Sequence, residues 1–314
     1  MLTHPQALGE KETQFLRDQF WDESQLDLFD FLDLHRAYLG LSGRTFNEVL
    51  SATPRSAIDQ TDANVRSTLS WASQRGDDQA VAHLLRFGAD PNKPDMGGCT
   101  PLHYSLFAAT IKCMQHLLHF KADVEAKNIT GATALHLAIG LEHGLQFVEL
   151  LVAYGADVEA QENGCFTALH GASEANKPGH LSYLLSKGAS INAETQMGHS
   201  APSIAVMSNS RDALRILFKH PELHTNVFDV RGYNTATDAA SYGDSETVRL
   251  LNEVCLSDVD INRPNWDGDT PLDIARWRRD RNVEWSRRSL RPLDDDPLAW
   301  FDAFMRLCDG IKSR

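Results

Sequence analysis

A segment of about 33 residues recurs along this chain, most visibly as Gly98-Cys99-Thr100-Pro101-Leu102-His103 and Gly131-Ala132-Thr133-Ala134-Leu135-His136, which lie 33 residues apart. A third copy, Phe166-Thr167-Ala168-Leu169-His170, follows at 34, and Gly268-Asp269-Thr270-Pro271-Leu272-Asp273 stands near the end of the series. Weaker copies, Ser67-Thr68-Leu69-Ser70, Ser200-Ala201-Pro202-Ser203 and Asn234-Thr235-Ala236-Thr237, keep the register. The opening positions are thus 67, 100, 133, 167, 200, 234 and 270, at intervals of 33 to 36. A degenerate eighth copy begins at Leu32, where Leu34-His35-Arg36-Ala37 repeats the Leu-His-x-Ala core. A unit this short cannot bury its apolar face alone, so units stack on one another and at least three are needed for stability.

The second half of each unit repeats as well. Ala80-Val81 with Leu84-Leu85, Cys113-Met114 with Leu117-Leu118 and Phe147-Val148 with Leu150-Leu151 each form the apolar stripe of a short helix. These helices run into Gly88-Ala89-Asp90, Gly155-Ala156-Asp157 and Gly188-Ala189-Ser190, where glycine supplies the left-handed residue that stops a helix. At the front of each unit the Thr serves as a hydroxyl cap. A Pro after it suits the first helical position, and the Gly two residues earlier allows a tight hairpin tip. Each unit reads as turn, helix, short turn, helix, loop.

These residues resemble ankyrin repeats, whose pattern is Gly-x-Thr-Pro-Leu-His-x-Ala-Ala, then Leu-Leu, then Gly-Ala-Asp-x-Asn. The likeness is strong over residues 60 to 280 and weaker over 30 to 60. It implies an all-α ankyrin-repeat solenoid. Val65 and Cys165 depart from the pattern where it has Gly, and Lys121 replaces the Gly of a helix stop. The units opening at Ser200 and Asn234 lack the Leu-His core, and the latter is lengthened near Leu256-Ser257-Asp258. Those two units are expected to be less stable or shaped for a ligand.

Stacked repeats need polar caps at both ends. Phe15, Leu16, Phe20, Trp21, Leu26, Phe29 and Leu32 recur at near-helical spacing among acids. At the other end, Trp277, Trp285 and Leu293 precede Pro297-Leu298-Ala299-Trp300-Phe301-Asp302-Ala303-Phe304 and Leu307, an amphipathic pattern. The expected organisation is an N-terminal capping segment over 1–31, a degenerate repeat over 32–66, the repeat array over 67–282 and a C-terminal helical cap over 283–314. The Asp-Asp-Asp-Pro and Trp-Phe-x-Ala-Phe tail is similar to caps of ankyrin proteins from filamentous fungi.

Thirty basic against forty-three acidic residues give a formal charge of −13, which repels a phosphate backbone and disfavours general nucleic-acid binding. With no apolar run of about eighteen residues and no basic start leading into an apolar stretch, neither a membrane span nor a secretory signal is expected. Cys99, Cys113, Cys165, Cys255 and Cys308 form no close pair and suit a reducing compartment, cytosol or nucleus.

Several residue sets invite chemistry. His103, His136 and His170 occupy equivalent positions and form a ladder, which suggests a metal site; in the resembling repeats this His instead bonds backbone of the adjoining turn. Cys113, His116 and His119 share a helix, but Cys113 falls on the apolar stripe and no fourth ligand follows. No nucleophile-base set, Gly-x-Ser-x-Gly, phosphate loop or His-Glu-x-x-His is present, so no catalysis, metal or cofactor is expected. Seven arginines between Arg276 and Arg291, interleaved with Trp277 and Trp285, could bind phosphate or an import receptor, but such a run is more often the solvated face of a terminal helix, here opposite Asp294, Asp295 and Asp296. The acidic aromatic run from Phe20 to Asp30 suits an activation segment or, by its periodicity, a capping helix.

The ankyrin resemblance implies that a partner protein is bound along a concave groove by positions four, three and one before the Thr and seven and eight after it. Here these include Met96, Ile129, Phe166, Tyr233 and Trp266 at the tips and Phe107, Leu141, Met207, Tyr242 and Trp277 on the helices. Apolar and aromatic side chains in such a row are the chemistry of an interface core. Arg75, Glu174 and Arg278 would form its polar rim. The expectation is a monomeric, non-catalytic protein-interaction module. A nuclear transcriptional co-regulator using the same groove, and an enzyme with an unrecognised groove site, stand as alternatives.

Overall fold

A computed structural model describes residues 32–108, 110–253, 259–288 and 297–312. The expected N-terminal cap, the lengthening near 256–258 and Leu293 to Asp296 lie outside the described residues, as does the side chain of Trp285. The described residues form sixteen α-helices and no strand. The chain divides into two compact units, residues 1–156 and 157–314.

In the first unit, helices pair as α1 (Asp33–Tyr38) with α2 (Phe46–Ala52), α3 (Thr68–Arg75) with α4 (Asp78–Phe87), α5 (Pro101–Ser105) with α6 (Ile111–His119), and α7 (Ala134–Gly140) with α8 (Leu145–Ala153). In the second, α9 (Ala168–Glu174) pairs with α10 (Pro178–Ser186), α11 (Ala201–Met207) with α12 (Arg211–Leu217), and α13 (Thr235–Ser241) with α14 (Ser245–Glu253). Helix α15 (Pro271–Arg288) and helix α16 (Pro297–Lys312) follow. Within each unit like helices pack on like, α3 on α5 and α4 on α6 in the first, α11 on α13 and α10 on α12 in the second.

Local chemistry sets these boundaries. Thr100, Thr133 and Thr167 each close a capping box with the His three residues on, an imidazole standing where glutamate is usual. The units without Leu-His keep the cap by other means. Ser200 accepts the Ser203 N–H, and Asn234 Oδ1 accepts from the Thr237 N–H at 3.0 Å while its Nδ2 donates to Asp260 O at 2.9 Å. In the degenerate copy, Leu32 precedes α1 and His35 Nε2 meets Arg66 O at 3.0 Å.

The residue two before each cap is left-handed throughout: Gly98, Gly131, Gly198, Gly232 and Gly268 are joined by Val65 and Cys165, both with φ of 61°. Lys121 (φ 68°) likewise takes over the glycine stop. At Gly198 the constraint is double, because a Cβ would lie 2.9 Å from Asp229 Cα in the next hairpin. Gly198→Ala is therefore expected to destabilise the second unit by about 2 kcal/mol, the left-handed penalty plus a backbone clash. Urea unfolding checks this, and an unchanged midpoint would show that the tip relaxes freely.

The core follows the apolar stripes. Cys113, Met114, Leu117 and Leu118 of α6 are buried, as are Phe147, Val148 and Leu151 of α8. At the C-terminal end α16 packs on α14 and α15 and buries Trp300, Phe304, Leu307 and Cys308. Arg278 and Arg279 of the basic run serve this packing, while Arg276 and Arg281 make contacts within α15. Arg278 lies over Trp300 at 4.3 Å, Arg279 over Phe301 at 4.5 Å and Arg281 over Trp277 at 4.9 Å. Arg276 pairs with Asp273 across one helical turn at 3.9 Å.

Candidate functional site

The surface expected to bind is built from hairpin tips and first helices. Five of the tips are folded by an acceptor five residues before the cap. Asp95 Oδ1 takes the N–H groups of Gly97 and Cys99, Asp229 Oδ1 those of Arg231 and Tyr233, and Asn265 Oδ1 those of Asp267 and Asp269. Asp62 and Asn128 do the same. Successive tips are then tied by backbone bonds. Ile129 N–H donates to Gly97 O (2.9 Å) in the first unit, and Val230 N–H to Met197 O (2.9 Å) and Trp266 N–H to Arg231 O (3.0 Å) in the second. Backbone polar groups of these tips are thus bonded to their neighbours.

Met96, Phe107, Ile129, Trp266 and Trp277 are 61% to 74% exposed, and Tyr242 is exposed as well. Leu141, Phe166, Met207 and Tyr233 are half-buried. Phe166 lies 5.5 Å from the His170 ring, and Tyr233 has the Arg231 guanidinium 4.4 Å from its ring centre. Met197 and Val230 are exposed tip residues of the same kind that the sequence reading did not single out, although they fall three and four residues before a cap. In the second unit Met197, Val230 and Trp266 sit on consecutive tips, and Trp266 Nε1 donates to Val230 O at 2.7 Å.

The histidine ladder is occupied by backbone. His103 Nδ1 accepts the Thr100 N–H (3.1 Å), which leaves the proton on Nε2, facing Ala132 O at 3.3 Å. His170 repeats this with Thr167 (3.1 Å) and Ala193 O (3.0 Å). Burial lowers the pKa of His35 and His103 and takes that of His170 down to about 4. Because the unfolded histidine titrates near 6.5 and the folded one lower, the stabilising contribution is complete above pH 6.5 and is lost as pH falls toward 4. His170→Gln is expected to lower the urea midpoint at pH 4.5 relative to pH 7.5 less than wild type does; an identical pH response in variant and wild type would contradict this.

Cys113 is buried on the stripe of α6 while His119 is exposed on another side of the same helix. Among the described residues no three His, Cys, Asp or Glu side chains converge as a metal site. No helix of the described residues is long and apolar enough to cross a membrane.

The first-helix face of the second unit holds a pocket of about 420 Å³. Tyr233, Tyr242 and Trp277 line it together with Asp269, Asp273 and Arg278. Three of the sequence-derived contact residues thus meet in one concavity. Asp273 Oδ2 is taken by the Thr270 hydroxyl (2.6 Å) and N–H (3.1 Å), the cap of α15. Arg278 donates to Ala240 O and Gly243 O. The Asp269 carboxylate meets no donor among the described residues.

Known proteins bear on this architecture directly. The family described as "Ankyrin repeats (3 copies)" matches in overlapping stretches, residues 37–128, 69–162, 106–195 and 142–229. An L-asparaginase of Dirofilaria immitis is 28% identical over 139 residues, 44% of this chain and 23% of that protein. A palmitoyltransferase of Lachancea kluyveri is 30% identical over 194 residues, 59% of this chain and 26% of that protein. A palmitoyltransferase of Homo sapiens is 37% identical over 150 residues, 47% of this chain and 24% of that protein. The chain thus spans about a quarter of the length of these relatives. Caps, hairpins and helix pairs in constant register, together with matches that run from residue 37 to residue 229, make this chain a member of the ankyrin-repeat family.

Proposed function

We propose that this protein is a non-catalytic binding module whose partner protein rests on the hairpin tips and first-helix faces of its repeats, acting in the cytosol or nucleus. The observation that carries the reading is the exposure of large apolar side chains, Met96 and Ile129 at equivalent positions of adjacent tips and Phe107 seven residues after the Thr100 cap. Exposed apolar clusters of this kind mark interaction surfaces. A tip held by two side-chain-to-backbone bonds and a bond to its neighbour is ordered before the partner arrives, so association loses little conformational entropy. The relatives carry two unrelated chemistries in their names, asparagine hydrolysis and palmitoyl transfer, and share with this chain only part of their length. Neither activity is transferred here. Cys99, Cys113 and Cys165, far apart in the sequence and in no disulfide, suit the reducing compartment.

The test is a pull-down from native extract with wild-type bait and with Met96→Ala, Phe107→Ala, Ile129→Ala combined. These side chains are exposed, so helical content and melting are expected to stay within error of wild type. A partner retained by the first bait is expected to bind the second at least tenfold more weakly, about 1.4 kcal/mol or more. Equal retention at matched folding would move the binding surface elsewhere.

A further inference from the structure

The pocket of the second unit differs from a plain apolar groove in its walls and its charge. Tyr233, Tyr242 and Trp277 present aromatic rings around a volume of about 420 Å³, at the low end for ligand pockets and suited to a side chain. Aromatic faces attract cations, and two of these rings already do so within the chain: Arg231 lies 4.4 Å from the ring centre of Tyr233, and Arg281 lies 4.9 Å from that of Trp277. The neighbouring cations are committed. Arg231 is held by Asp229 at 3.2 Å, and Arg278 by two backbone carbonyls and the Trp300 ring. Arg276 sits 3.9 Å from Asp273, whose other oxygen caps α15. Asp269 alone brings an exposed carboxylate with no donor on it among the described residues, in a chain of net charge −13.

We propose that this pocket takes a lysine side chain from the partner protein, with its methylene stem against the three rings and its ammonium at Asp269. The proposal rests on the binding-module reading and narrows it to a chemistry. A guanidinium would bring five donors in a fixed fork to a pocket with one unengaged carboxylate, leaving several unpaired. An ammonium on a flexible stem needs fewer acceptors and keeps its remaining donors toward water. The acidic field of the chain favours approach of such a basic partner.

The experiment uses the full chain and a defined probe, butylammonium chloride, with butan-1-ol as its neutral counterpart of equal stem length, followed by the indole N–H signals of 15N-labelled protein. Butylammonium is expected to bind saturably in the millimolar range and to shift the Trp277 indole, while butan-1-ol gives no saturable shift. Asp269→Asn is expected to weaken binding at least fivefold, raising salt from 50 to 300 mM to weaken it as well, and Trp277→Ala to abolish it. Asp269 makes no side-chain bond among the described residues, so its variant tests charge without a folding defect. Equal response to amine and alcohol, or amine binding unchanged in Asp269→Asn, overturns the proposal. Loss of the partner from the Met96, Phe107 and Ile129 variant alongside such a result would leave the binding-module reading standing and remove only the lysine pocket. Amine binding without any captured partner would leave the pocket's affinity for an ammonium standing but remove the partner, and with it the proposal that a partner's lysine fills the pocket.

Discussion

Asp238→Asn is expected to stabilise the second unit by about 4 kcal/mol above pH 7 and by almost nothing near pH 4. Asp238 lies in α13 and is 1% exposed. Ser203 bonds one side of its carboxyl, and Oδ1 finds no partner among the described residues. Burial is the main cause that pushes its pKa from 3.8 to about 7; nearby Asp229 adds to the rise, while the Ser203 bond and Arg231 oppose it. The folded state therefore holds its proton where the unfolded chain has released it. Stability falls as pH rises from 3.8 through 7 and stays low above that. Asparagine matches the neutral acid in shape and never charges. Urea unfolding of both proteins from pH 4 to 8 checks this. A difference independent of pH would show that the carboxyl is solvated or paired. This slope runs opposite to that of His170, so the two contributions largely offset each other between about pH 4 and 6.5.

Leu117→Ala is expected to destabilise the first unit by about 2 to 5 kcal/mol. Leu117 is fully buried in α6, beside Cys113, Met114 and Leu118 and against α4. Removing three carbons there loses transfer free energy and leaves a cavity between rigid helices. In a repeat protein each unit is held by its neighbours, so the loss also weakens both adjoining interfaces. A chain of this kind need not unfold in one step, so hydrogen exchange over residues 68–153 is measured beside urea unfolding. A loss under about 1 kcal/mol would take Leu117 out of the core.

The repeat register was legible in the sequence because capping is local chemistry. A hydroxyl or amide at Ser67, Thr100, Thr133, Thr167, Ser200 and Asn234 needs only the next three residues to start a helix, and each helix begins one residue after it. Gly98 and Gly131 announced the hairpin turn for the same reason, and Val65 and Cys165 show the turn enforced where the residue disfavours it. The Asp or Asn five before the cap was equally local and was overlooked, although Asp62, Asp95, Asn128, Asp229 and Asn265 stand at that offset. Other features depend on neighbours distant in sequence. Phe166 and Tyr233, one residue before their caps, are half-buried with a ring or guanidinium against them, whereas Ile129 and Trp266, four residues before theirs, are exposed. Asp238 occupies a position held by Trp71 and Tyr104 elsewhere, and its burial is set by the helices beside it. The arginine run read as a basic patch or the solvated face of a terminal helix, and the rings of α16 that lie against Arg278 and Arg279 were not visible from its own sequence.

Hydrogen exchange of the chain with and without a captured partner tests the binding surface most directly. New protection is expected at the tips and first helices, residues 96–107 and 129–141 in the first unit and 230–242 and 266–277 in the second. Protection confined to the second helices, residues 111–119, 145–153 and 178–186, with the tips unchanged, would contradict the account.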